Sequence, residues 1–387
     1  MKNYAIFHKP ESEYAFAKDD HTLRILLRLA RDEEYESVSI LYNNKYDFTR
    51  YRYSGEMSKE FSDELFDYYA FEIKLNDVRF AYIFVLRKGR KVWYYSEEGI
   101  SEEYDFERAY YTFYQYPYIN SADVVRVTEW AYKAIFYQIF VDRFYRGDYK
   151  KDDSYITQEW RDRIGAKSYA GGDLKGITQK LPYLKDLGVN ALYLTPVFKA
   201  NSNHKYNTTD YRTVDPQFGS NADLVELVTR AHDMGMRVML DIVFNHCDAS
   251  HPFFQDVLKY GKQSRYYSYF IIDGDKPDLQ SGNYARFADC KYMPKWNTND
   301  AEARQYLIQI GTEYLRVYNV DGLRLDVADE VSHTFWQDFR RAVKEVNPDA
   351  LLIGEVWHDN THYLRGDQFD GVMNYKLQKI LLDYFAS

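Results

Sequence analysis

The sequence predicts an α/β protein in two parts, an antiparallel β-sandwich followed by a parallel sheet covered by helices. Three observations predict it. Short, partly alternating apolar segments fill the chain to about Asp105, apolar runs alternate with helix-length periodicity from Ala134 onward, and several of those runs end in a carboxylate.

In the first part, segments 22–29, 37–42, 70–75 and 79–86 are strand-length and separated by polar turns. That rhythm is the pattern of an immunoglobulin-like β-sandwich, placed here at residues 1–120. A connector rich in tyrosine and proline, 110–130, leads out of it.

In the second part, runs 134–140, 189–194, 237–243, 320–326, 350–355 and 369–373 read as buried strands, with helices at 177–187, 222–234, 301–318 and 332–346 between them. Apolar strands alternating with amphipathic helices form a parallel sheet covered by helices. The expected architecture for residues 121–387 is therefore a TIM (β/α)8-type barrel of which about six βα units are present. One interval, 247–300, is too long and too aromatic for a loop, so it is expected to form an inserted subdomain after the third strand.

Composition narrows the function. Hydrophobic residues at 45% and charged residues at 28% of 387 describe a globular chain. A formal charge of −9, with no basic block to offset it, argues against nucleic acid and anionic membranes and for a neutral substrate. No apolar stretch reaches the ~20 residues that span a bilayer. The first ten residues turn polar before a secretion segment could form, which makes the cytoplasm the expected location, and Cys247 and Cys290 are expected to be reduced. The 40 tyrosines could stack on sugar rings, although tyrosine serves equally well in cores and on surfaces.

The chemistry lies at the strand ends. Asp241, Asp326 and Glu355 each stand where an apolar run gives out, which is where a barrel of this type presents its active site. Strand alternation puts Arg324 on the face of Asp326, and a neighbouring cation favours an ionised nucleophile. Glu355 follows Leu351, Leu352, Ile353 and Gly354, so an apolar setting is expected to raise its pKa and suit it to acid work. Two carboxylates driven apart in this way are what retaining glycosidases use.

Asp241-Ile242-Val243-Phe244-Asn245-His246, Gly322-Leu323-Arg324-Leu325-Asp326 and Gly354-Glu355-Val356-Trp357 resemble, in order and spacing, three conserved segments of the α-amylase superfamily (glycoside hydrolase family 13). Met293-Pro294-Lys295-Trp296-Asn297 resembles a further segment as it occurs in the neopullulanase, cyclomaltodextrinase and maltogenic amylase group, whose members also carry an N-terminal sandwich. Val327-Ala328-Asp329-Glu330 is near that group's Ala-Asn-Glu, with Asp329 in place of asparagine.

The resemblance implies Asp326 as nucleophile, Glu355 as acid/base and Arg324 as the arginine that holds the nucleophile. It implies His246, His204 and Tyr206 at the sugar in subsite −1, with Asp241 organising the site and Glu330 and Trp357 on the acceptor side. The usual aspartate after that tyrosine is Asn207 here. A calcium ion is a further expectation, with Asp148, Asp152, Asp153, Gly171, Gly172 and Asp173 offering hard oxygen ligands, although Arg146 and Lys151 stand where the group has asparagines.

The superfamily's third carboxylate, in a segment ending Asn-His-Asp, is not found after Glu355. The expected remainder lies in further sequence or in a second chain. The implied function is retaining hydrolysis of α-1,4-glucosidic bonds in cyclodextrins, maltodextrins or pullulan. An α-glucosidase, a transglycosylase or a non-catalytic glucan-binding relative are the alternatives, and homodimerisation through the sandwich is a further implication.

Overall fold

The computed structural model describes residues 2–108, 111–159 and 162–386; the first residue of the 110–130 connector, Tyr110, lies outside them. The chain forms two compact units, Met1–Val125 and Arg126–Ser387.

The first unit is a sandwich of two antiparallel sheets. One sheet holds β1 (Ala15–Ala17), β2 (Thr22–Ala30), β5 (Ser58–Ser62) and β6 (Phe66–Lys74) in the order β1-β2-β6-β5. The other holds β3 (Ser37–Asn43), β4 (Tyr53–Glu56), β7 (Phe80–Lys88), β8 (Lys91–Ser96) and β9 (Gly99–Ser101) in the order β4-β3-β7-β8-β9, with β10 (Tyr114–Tyr116) also on β7. The strict alternation of β2 sends Leu23, Ile25, Leu27 and Leu29 into the core and leaves the residues between them half-exposed. β7 is buried on both faces: Phe80, Tyr82, Phe84 and Leu86 join that core, while Ala81 and Ile83 pack with Phe48 and Phe113.

The second unit is built on six parallel strands, β11 (Phe136–Ile139), β12 (Ala191–Leu194), β15 (Arg237–Ile242), β16 (Gly322–Leu325), β17 (Leu351–Gly354) and β18 (Gly371–Val372), hydrogen-bonded in chain order. Helices α1 (Leu174–Asp186), α2 (Asn221–Asp233), α4 (Ala301–Tyr318) and α5 (His333–Val346) lie between successive strands, each started by a side chain that caps its free N–H groups: Asp173, Ser220, Asp300 and Ser332. One continuous core of strand and helix residues, from Ile139 to Phe369, seals this layer.

Two features interrupt the alternation. A hairpin, β13 (Phe198–Ala200) with β14 (Thr208–Val214), follows β12 and was not apparent in the sequence. The 247–300 segment contains α3 (Pro252–Tyr260) and isolated bridges such as Phe270↔Trp296 and Arg286↔Pro294, gathered around the buried indole of Trp296. The last helix, α6 (Tyr375–Ala386), has no buried residue and exposes Leu377, Ile380, Leu381, Leu382 and Phe385.

The register of the sheet places the site. Asp241 pairs with Arg324 and Arg324 with Ile353, and the ladder runs one step past the strands: Asp326 donates its N–H to Ile242 and Glu355 donates its N–H to Leu325. The carboxylates are thus delivered side by side at the C-terminal edge. Gly354 is required for the last of them, because a Cβ there would lie 2.5 Å from the Phe369 ring.

Candidate active site

One guanidinium organises the site. Arg324 Nη1 lies 2.9 and 3.1 Å from the two carboxylate oxygens of Asp241 and 2.7 Å from Asp326 Oδ1, and its Nη2 lies 2.9 Å from Glu355 Oε2. All four side chains are buried. Three carboxylates face one permanent cation, which leaves an excess of negative charge in a medium that screens it poorly.

That excess reverses the expected division of pKa values. Burial, the Asp241 charge and the Glu355 charge push the Asp326 carboxyl well above the usual carboxylate range despite Arg324, and burial also raises Asp241. Glu355 moves the other way: burial pushes it up, but Arg324 and three hydrogen-bond donors outweigh that and hold it below its ordinary value. The donors are the Val327 N–H (2.9 Å) and the Tyr375 hydroxyl (2.7 Å), with the Trp357 indole N–H at 3.2 Å. The sequence reading missed this because the apolar residues before Glu355 are strand core, while its carboxylate projects past them among polar groups.

The remaining expected residues gather around this centre. Tyr206 donates its hydroxyl to Asp241 at 2.9 Å and stacks on His204, whose Nδ1 accepts the Tyr206 N–H at 3.1 Å. His246 is buried and stacks on Phe287 at 4.8 Å, and among the described residues no group lies within hydrogen-bonding distance and geometry of its Nε2. Burial and the nearby Lys295 hold its pKa down at about 3, so the ring is neutral. Glu330 pairs with Lys295 at 3.1 Å, and Lys295 also reaches Asn245 beside His246. Trp357 is 67% exposed and borders a cleft of about 250 Å³ shared with His358, Met373, Asn374 and Tyr375.

Sequence reasoning did not find Tyr193, Tyr375 or Phe287. Tyr193 donates to Asp241 at 2.5 Å from the middle of β12. Strand alternation could have revealed it, as the single hydroxyl on the face where β15 carries Asp241. Tyr375 and Phe287 carry no comparable signal, since each depends on where a loop turns.

Residues 138–387 match the catalytic-domain family of α-amylases, and residues 1–120 match the α-amylase N-terminal Ig-like domain. The chain belongs to the α-amylase family. It is 42% identical, over its whole length, to a cyclomaltodextrinase of Thermoanaerobacter pseudethanolicus and covers 67% of that protein. It is 37% identical to an intracellular maltogenic amylase of Bacillus subtilis, covering 66% of it. A solved cyclomaltodextrinase structure superposes with a TM-score of 0.92 at 39% identity, over 100% of this chain and 66% of that one. The chain thus spans about two thirds of the length of these α-amylase relatives.

The calcium expectation does not fit the residues present. Asp148 is paired with Lys175, Asp153 with Arg146 and Asp173 with Lys151, and Asp152 accepts the Ser154 N–H from an exposed loop. The carbonyl oxygen of Gly171 accepts from the Lys151 ammonium. Among the described residues no three His, Cys, Asp or Glu side chains converge into a metal-binding set. Arg146 and Lys151 of this loop and Lys175 of α1 thus pair with three of these four carboxylates.

Proposed function

We propose that the protein is a retaining glycoside hydrolase that cleaves α-1,4-glucosidic bonds in cyclodextrins and short maltodextrins, with pullulan as a further substrate. The observation that carries this reading is Arg324 bridging Asp241, Asp326 and Glu355 at the ends of three adjacent strands. Two carboxyl groups held by one fork are placed to act on the two sides of one bond.

In the proposed reaction Asp326 attacks the anomeric carbon while the glycosidic bond breaks, and the leaving oxygen takes a proton from Glu355. Glu355, now a base, removes a proton from water, which attacks the same carbon and frees Asp326. Arg324 and the hydroxyls of Tyr193 and Tyr206 keep Asp241 fixed below the sugar. Neutral His246, through its Nε2, supplies a hydrogen bond to a sugar hydroxyl. The exposed Trp357 face and the adjoining cleft suit the acceptor side.

The exposed aromatic residues Tyr51, Tyr53 and Phe61 beside the sandwich edge strands β4 and β5 support homodimerisation through that unit. Similarity to an intracellular amylase supports a cytoplasmic location, and no helix of the described residues is long and apolar enough to cross a membrane.

The test uses the full-length protein and chromatography of products from β-cyclodextrin, pullulan and soluble starch. Asp326→Asn should abolish turnover while sugar binding stays measurable. Glu355→Gln should spare the glycosylation step on glycosides whose leaving group needs no proton and cripple it on natural glucans. Turnover by Asp326→Asn within tenfold of the parent would refute the assignment.

A further inference from the structure

The Lys151 ammonium sits in a cage of oxygens. It lies 2.8 Å from the carbonyl oxygen of Gly171, 2.8 Å from that of Gln217, 3.5 Å from that of Gly172 and 3.0 Å from Asp173 Oδ2. The lysine side chain is 9% exposed and that of Asp173 only 1%. Backbone carbonyls around a buried carboxylate are the donor set that hard divalent cations select. Here a lysine of the same chain has taken it.

We propose that Lys151 is a tethered cation that stands in for a metal ion, so that the turn around Lys151 and the Gly171–Asp173 segment hold together independently of calcium. Three features of the cage support this. Asp173 has no capacity left, because its carboxylate already accepts the N–H groups of Gly147, Asp148 and Gly176 besides the ammonium. The charge is satisfied locally, since one ammonium balances one buried carboxylate, whereas a divalent ion beside Lys151 would meet like charge at close range. The ammonium also joins three parts of the chain, as a bound ion would: the loop itself, the N-terminus of α1 capped by Asp173, and Gln217 between β14 and α2.

The tie extends toward the active site. The side-chain amide oxygen of Gln217 accepts from Lys205 at 2.6 Å, and Lys205 is the residue before Tyr206. A cation bonded covalently to the chain cannot be chelated away, so this connection persists when metal is scarce.

The experiment compares Lys151→Asn with the parent, in 1 mM EDTA and in 5 mM calcium chloride, by thermal unfolding. The asparagine removes the ammonium and supplies a neutral oxygen. In EDTA the variant should unfold on the order of 10 °C lower, because a buried carboxylate has lost its partner. Calcium should recover part of that loss in the variant and leave the parent's Tm unchanged. An identical calcium dependence in both proteins, or an unchanged Tm in the variant, overturns the proposal. If the variant does not fold in EDTA, refolding yield with and without calcium replaces Tm. Recovery by calcium then supports the proposal, and equal yields overturn it.

Discussion

Tyr375 donates its hydroxyl hydrogen to Glu355 Oε1 across 2.7 Å. The bond favours the ionised carboxylate, adding to Arg324 and the Val327 N–H, and so lowers the pKa of the group proposed to act as the acid. Tyr375→Phe should therefore raise the Glu355 pKa. Because Asp326 titrates above Glu355, the productive form, Asp326 ionised with Glu355 protonated, is bounded on its acid side by the step that Glu355 dominates, so the acidic limb of kcat/KM in the free enzyme should move to higher pH, on the order of half a unit for one hydrogen bond. A limb that stays in place, or moves down, separates Tyr375 from the titration of Glu355.

Asp326 bears the surplus charge of the site. Its folded-state pKa is raised above the ordinary carboxylate value. Ionising it therefore costs the folded state stability, a cost absent below the unfolded pKa near 4 that grows as pH rises toward the folded value. Asp326→Asn should match the parent's Tm in acid and exceed it by several degrees at pH 7 and above, while turnover is lost. Differential scanning fluorimetry across pH 4–9 checks this, and a lower Tm at pH 7 contradicts the surplus-charge account.

Much of this arrangement was legible in the sequence. β2, β3 and β7 begin within a residue of the segments read from alternation, and α4 matches 301–318 because Asp300 caps it and the apolar period runs unbroken to Tyr318. Asp241, Arg324, Asp326 and Glu355 were locatable because a parallel strand ends where its apolar run ends. The exposed strands β4 and β5 were not, since no buried face imposes an alternation on them. The direction of the Glu355 shift was also out of reach. It depends on Tyr375, which is 20 positions along, and on the backbone turn at Val327.

That turn is strained. Val327 has φ 44° and ψ 47°, a left-handed conformation that a β-branched residue rarely adopts, and it is the conformation in which its N–H reaches Glu355. Val327→Asn places a residue tolerant of this conformation there and keeps the N–H. It should raise Tm by about 2–4 °C, on the basis of ~1 kcal/mol of relieved strain, without moving the acidic limb of kcat/KM. A loss of Tm would show that the valine side chain contributes more by packing than its backbone costs.

Asn207 stands where the related group has aspartate, and its surroundings explain how this chain accommodates it. Its amide donates to Asp248 Oδ2 at 2.6 Å, while its carbonyl accepts from Ser202. Asp248 is buried and also accepts from the Asn201 amide and from the Ser250 N–H and hydroxyl. The bond ties the loop carrying Tyr206 to the segment after β15. Asn207→Asp would set two carboxylates in contact, and the pair would stay bonded only while it shares a proton. The other titratable groups facing Asp248 are Cys247, His251 and Tyr292. Burial raises the thiol and the phenol and holds His251 at about 4, so at neutral pH they supply no compensating positive charge. In the variant, kcat/KM should match the parent in acid and fall by about tenfold as the shared proton leaves with rising pH. Exchanging the partners, Asn207→Asp with Asp248→Asn, restores one donor amide facing one carboxylate and should recover the parent's profile. If the single variant loses Tm but keeps the parent's kcat/KM at every pH well below unfolding, the Asn207–Asp248 bond stabilises the loop without positioning Tyr206.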